Sequence, residues 1–145
     1  MTLKYLGLLG ILLVTFVLLF GCSNGNVEID TGDKLVTVKV EISDDDAERA
    51  RGLMFRESLG ENEGMFFIFE DSKERTFWMK STLIPLDIIF ISDDNKVLNV
   101  LEAEPCRDDT CKTYSSDGNA KYVLEVNKGF SKKSNIKEGD AVRLR

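Results

Sequence analysis

Histidine is absent from all 145 residues of this chain, and that absence removes more chemistry than any other feature. Without imidazole there is no Ser-His or Cys-His nucleophile pair, no ordinary zinc site, and no side chain whose free pKa lies near neutrality. Any chemistry falls to carboxylates, Lys, Arg, hydroxyls or a bound ligand. Nucleophile motifs, phosphate-cradling loops and dinucleotide fingerprints are also missing. A surplus of positive charge is lacking too, since 19 Lys and Arg stand against 25 Asp and Glu for a net charge of −6. That balance argues against nucleic acid held through a broad basic face. The chain has no internal repeat, and no cofactor is implied.

Cysteine is scarce, and the three present fall at two telling places. Lys4 leads into the apolar run Tyr5 to Phe20, which closes on Leu19-Phe20-Gly21-Cys22, the layout of a secretory signal. A small residue directly before Cys22, with Leu19 three positions ahead, marks a lipoprotein processing site at which Cys22 becomes the acylated first residue. Phe20 departs from the small or β-branched residue usual at its position. Residues 1–21 therefore read as a lipoprotein-type signal peptide. The alternative is an uncleaved membrane anchor, because the run approaches the roughly 20 apolar residues of a spanning helix. Either reading places the body at the extracytoplasmic face of a membrane, with that membrane as a partner. Residues 22–33, rich in Gly, Asn, Asp and Thr, read as a flexible tether, which leaves 34–145 as one globular domain.

Cys106 and Cys111 bracket a polar turn just after Pro105. In an oxidising compartment they are expected to form a disulfide that pins a loop. Metal or redox chemistry is the weaker reading, because the other zinc ligands and the two-residue dithiol spacing are both missing. Methionines at 54, 65 and 79 raise the thought of copper(I), but beside Leu53, Phe66 and Trp78 they read first as core filler.

Hydrophobic periodicity predicts strands over Lys34 to Ile42, Gly64 to Phe69, Arg75 to Lys80, Leu86 to Ser92, Lys96 to Leu101, Tyr122 to Asn127 and Asp140 to Leu144. Ser43 and the acidic triplet Asp44 to Asp46 predict a capped helix that stops near Gly52, and Phe130 to Asn135 reads as a second short one. Asp93-Asp94-Asn95 should turn a hairpin. These elements add up to an α+β, β-rich fold, with a small, strongly curved sheet or partly closed β-barrel and one or two short helices.

Four segments carry a resemblance: Arg51-Gly52-Leu53-Met54-Phe55-Arg56, Gly64 to Phe69, Phe77-Trp78-Met79-Lys80-Ser81-Thr82-Leu83-Ile84-Pro85-Leu86-Asp87-Ile88-Ile89-Phe90-Ile91, and Tyr122 to Asn127. Together they resemble the uncharacterised family called domain of unknown function 192. The resemblance covers nearly everything from about Val40 onward and implies a compact β-rich domain. One departure is Ser81, which stands where that family commonly has Asn.

Within its strand Asp87 shares a face with Ile89 and Ile91, while Glu125 shares one with Val123 and Asn127. Each is a single acid in a strand whose neighbours read as buried on both sides, so each needs a donor. An Arg or Lys bridged to one of them is the expectation. Arg51, Trp78, Lys80, Thr82, Asp87 and Glu125 are the candidate site, with Trp78 as a flat apolar platform and the charges as orienting groups. Alternatively, the acids only fix register. Three functions follow: a surface-tethered module binding a small polar ligand such as a glycan or cell-wall fragment, an envelope component, or a hydrolase using Asp87 and Glu125 as an acid and base pair on a glycosidic or similar bond.

Overall fold

The computed structural model describes residues 23–107 and 110–145. The signal or anchor segment and Cys22 lie outside the described residues. Among the described residues there are seven strands and two short helices. The strands are β1 (Asn24–Asp30), β2 (Leu35–Ser43), β3 (Glu63–Trp78), β4 (Leu86–Ile91), β5 (Val97–Ala103), β6 (Thr113–Asn127) and β7 (Ala141–Leu144), with α1 (Asp46–Arg51) between β2 and β3 and α2 (Phe130–Ser134) between β6 and β7. They form one sheet in the order β5-β4-β6-β3-β2-β1-β7. All neighbours are antiparallel except β2 and β3, which are parallel because the chain crosses over through α1 between them.

The sheet curls into a half-barrel. Its far edges meet where Lys96 bridges Ala141, and the amide of Val142 donates to the carbonyl of Asn95 at 2.9 Å. One core lies inside the curl and takes residues from every strand, among them Val27, Val38, Phe66, Ile89, Val97, Leu124 and Val142, with Phe130 of α2 as a plug. A second core lies on the other face of β3, β4 and β6 and contains Met65, Phe67, Ile88, Phe90 and Val123, covered by Leu53 and Met79. Strands covered on both faces must be apolar at consecutive positions. This accounts for the unbroken runs in β3, β4 and β6, against the strict alternation of β2.

Three expectations need correction. Of the expected tether 22–33, the described residues 24–30 are a strand, because β1 pairs with β2 on one side and β7 on the other, and Val27 and Ile29 are wholly buried. A strand covered on one face needs few apolar residues, and Asn24, Asn26, Glu28 and Asp30 supply the outward positions; Arg145 pairs with Glu28 there at 3.0 Å. The domain thus begins near residue 24 rather than 34. The second correction concerns the two strands read at 64–69 and 75–80, which are one long β3 carrying two register shifts. Its distal half pairs with the polar start of β6, and this two-stranded arm is anchored by buried Arg75. That guanidinium lies 3.9 Å from the centre of the Phe69 ring and donates to Asp71 at 2.5 Å and to the carbonyl of Ala120 at 3.1 Å. The helix cap also moves: Asp45, not Ser43, accepts the amide of Glu48 at 2.8 Å, while Ser43 ends β2.

Candidate functional site

Four of the six predicted residues come together. Arg51, Trp78, Thr82 and Glu125 line one small pocket with Gly52, Leu53, Met54, Phe67 and Phe77. It sits on the outer face of the curl, where the turn after α1 crosses β3 and β6. That turn depends on Gly52, whose φ of 47° and ψ of −137° lie outside the regions open to residues with a Cβ. A second turn, Met79 to Thr82, is closed by the Thr82 amide on the Met79 carbonyl at 3.1 Å. The two turns are tied together where the Phe55 amide donates to the Ser81 carbonyl at 2.8 Å. Arg56 holds the first turn to the sheet through a two-pronged pair with Glu41 at 2.5 and 2.7 Å.

Glu125 forms the base of this pocket. It is only 5% exposed, and among the described residues no Lys or Arg pairs with it and no donor reaches its carboxyl. Its cross-strand partners, Met65 on β3 and Ile88 on β4, are apolar. Burial without compensation pushes its pKa up to about 8, since removal from water disfavours the charged form. Trp78 is 51% exposed and carries the Lys80 ammonium 5.3 Å above its ring. Lys80 therefore reaches the site by stacking on the indole rather than by lining the pocket. Arg49 is spent on the carbonyls of Asp44 and Ile68 and on Asp46. Arg51 is exposed, and among the described residues it has no ion-pair partner.

Asp87 is not part of the site. In the β4–β6 register Asp87 lies opposite Val126 and Ile88 opposite Glu125, so the two acids point to opposite faces of the sheet. Asp87 lies on the inner face, where its oxygens accept the amides of Gly129 and Ser131 at 3.0 and 2.8 Å and fix the start of α2. The expected Arg or Lys bridge is found at neither acid: backbone amides satisfy Asp87, and Glu125 is left unpaired. Asp87 and Glu125 therefore do not form together the acid and base pair of a glycoside hydrolase.

The pocket holds about 40 Å³ of space open to water, above the ~10–15 Å³ that a single water needs. A broader concavity of about 430 Å³ at the mouth of the curl is lined by Phe66, Ile68, Tyr122, Leu144 and two arginines, but no unpaired buried acid faces it. Cys106 and Cys111 form the expected disulfide, and the Cys106 amide lies 3.4 Å from the Met79 carbonyl, so the bridged loop braces the Trp78–Thr82 turn. Met65 and Met79 are core residues, and Met54 lines the pocket.

Ser81 adopts φ of 56°, in the left-handed region where Asn is better tolerated than other residues with a Cβ. This explains on physical grounds why Asn suits the position. Ser81→Asn should raise stability by about 0.5 kcal/mol, read as a higher urea midpoint with unchanged slope.

The fold and the pocket define a curled-sheet domain with one acid-floored pocket on its outer face. The chain belongs to the family domain of unknown function 192, described as an uncharacterised ACR, whose model matches residues 27–144. No curated protein matches it. A crystal structure from Novosphingobium aromaticivorans DSM 12444, of a protein of unknown function, is similar with a TM-score of 0.80 and 36% identity, covering 86% of this chain and 88% of that one. A second, from Sinorhizobium meliloti 1021 and described as a candidate transcription regulator, has a TM-score of 0.80 and 28% identity over 86% of this chain and 95% of that one.

Proposed function

We propose that this domain is a membrane-anchored extracytoplasmic binding module that takes the terminal polar group of a small ligand into the Glu125 pocket and rests the remainder on Trp78. The observation that carries this reading is a buried carboxyl left without a partner at the base of a water-sized opening. Such a group costs free energy in the empty protein unless a ligand or water satisfies it, and beside an exposed indole it has the makeup of a small-ligand site. The dimensions narrow the ligand: pockets for whole drug-sized molecules run to roughly 300–1,000 Å³. An opening of this size suits a terminal group of a glycan or wall fragment rather than the whole molecule.

Anchoring through Cys22 is supported by the sequence of the leader, and the Cys106–Cys111 bridge is at home outside the cytoplasm. Because β1 begins at Asn24, an acylated Cys22 would hold the half-barrel close against the bilayer rather than on a leash. The regulator description of the S. meliloti protein is not carried over, because a net charge of −6 suits neither DNA nor RNA.

The test is a thermal-shift screen of cell-wall fragments on the full-length protein, on Trp78→Ala and on Glu125→Leu. A ligand shift of a few degrees in the wild type, lost in both variants, is the expected result; shifts that survive both variants would refute the pocket.

A further inference from the structure

The charges around the pocket are one-sided. Apart from Glu125, the ionisable residues lining it are Arg49 and Arg51, both from α1. Lys80 sits over the Trp78 ring at its edge, while the residues facing it from β3, Phe67, Phe77 and Trp78, carry no charge. A cationic ligand group would be repelled by Arg51 and Lys80, while Arg49 is already paired with Asp46. An anionic group meets attraction at the rim, where Arg51 is the cation with no partner among the described residues.

At the floor the chemistry agrees with this. A largely buried carboxyl that opens onto the pocket and that no donor reaches is held in its neutral form at neutral pH and then offers an O–H donor, as a protonated acid does in other sites shielded from water. Two arrangements fix the size and the body of the guest. The small opening suits a planar three-atom carboxylate better than a bulkier tetrahedral phosphate. Of the five large hydrophobic residues that stand exposed among the described residues, Phe55, Trp78 and Leu83 all lie on or beside the two turns tied by the Phe55–Ser81 hydrogen bond. An apolar rim of that kind suits a ligand whose polar end is buried and whose body is not polar.

We propose that the pocket binds the carboxylate end of a small organic acid with an apolar or aromatic body, which accepts a hydrogen bond from the carboxylic acid of Glu125, pairs with Arg51 and lays its body on Trp78. This deepens the binding reading and rests on it. No covalent step is involved, and the Glu125 proton stays on Glu125. Binding then requires the protonated acid, so affinity is flat at neutral pH and falls as Glu125 ionises.

The single Trp of the chain reports the site directly. Fluorescence titration of the full-length protein with phenylacetate, phenethylamine and inorganic phosphate separates the chemical classes, since the first two share a body and differ in charge. Phenylacetate is expected to perturb Trp78 at millimolar concentrations at pH 6.5 and to bind roughly thirtyfold more weakly at pH 9.5, where about 3% of Glu125 stays protonated. Glu125→Gln, whose amide still donates, should keep binding and lose the pH dependence; Arg51→Ala should weaken binding about tenfold at both pH values. Preferential binding of phenethylamine or phosphate overturns the carboxylate assignment while leaving a pocket that still binds. Phenylacetate binding independent of pH in the wild type overturns the role of Glu125. If none of the three probes perturbs Trp78, the inference fails, and the broader reading fails with it only when the wall-fragment screen is also negative.

Discussion

Between pH 4.5 and 8 the wild-type protein should lose stability relative to Glu125→Gln at about 1.4 kcal/mol per pH unit, on the order of 5 kcal/mol in all. The folded carboxyl titrates near 8 and its ordinary value is 4.5. Below 4.5 both folded and unfolded chains hold the proton, and nothing is lost. Between the two values the unfolded chain releases its proton while the folded chain keeps it, so rising pH favours unfolding. Above 8 both are ionised, the slope ends, and the full cost of a buried unpaired charge has been incurred. Gln keeps the shape and never ionises, so the two curves should coincide at pH 4.5 and diverge upward. Taking the difference between the two proteins removes every other group. Exposed Glu61 and Asp71, held below the usual carboxylate range by side-chain hydrogen bonds from Lys133 and Arg75, act in the acid region outside this window. Urea unfolding at pH 4.5, 6.5 and 8.5 measures the divergence, and a difference that does not change with pH would mean that Glu125 finds a partner in the folded chain.

The other large effect is steric. Gly64→Ala should cost about 3 kcal/mol or more, at the upper end of what single substitutions do. A Cβ built there lies 2.5 Å from the Glu125 carbonyl oxygen and 3.0 Å from Cγ1 of Val126. The clashing atom is backbone in β6, which is hydrogen-bonded to β3 on one side and β4 on the other, so it cannot swing aside as a side-chain tip would. Relief requires β3 and β6 to move apart beneath the pocket. Gly25 supplies the comparison: its Cβ would meet Ile42 and Leu144 methyls and the Arg145 carbonyl at 3.2–3.3 Å, close to the chain end, and Gly25→Ala should cost about 1 kcal/mol or less. Thermal and urea unfolding of both variants decide the matter; a Gly64→Ala protein within about 1 kcal/mol of wild type would mean that β3 and β6 separate at little cost.

Much of the inner sheet could be read directly from the chain. Leu86 to Ile91 and Tyr122 to Asn127 are apolar on both faces because two cores cover them, and no other arrangement of a short strand calls for that composition. Two segments escaped for one reason: a strand that buries a single face, or none, leaves little apolar signal. β1 needs only Val27 and Ile29, and the first half of β6, Thr113 to Lys121, forms an arm whose partner is the equally polar end of β3. The site shows a different limit. Alternation places Asp87 with Ile89, and Glu125 with Val123, but it says nothing about which residue of β4 stands opposite which residue of β6. Shifting a register by one residue moves a side chain to the other face, and the observed register sends the two acids apart. Arg51, Trp78, Thr82 and Glu125 come together because their segments cross on one face, and the visible sign of the site was a lone acid in a strand with no apolar vacancy for it.

Carbon-13 NMR titration of the Glu125 side-chain carboxyl in the ligand-free protein decides whether an unpaired acid stands at the base of the pocket. A midpoint near 8 is the predicted result. A midpoint near the ordinary 4.5 would show that the carboxylate is hydrated or paired, and the pocket would lose the group on which its proposed chemistry rests.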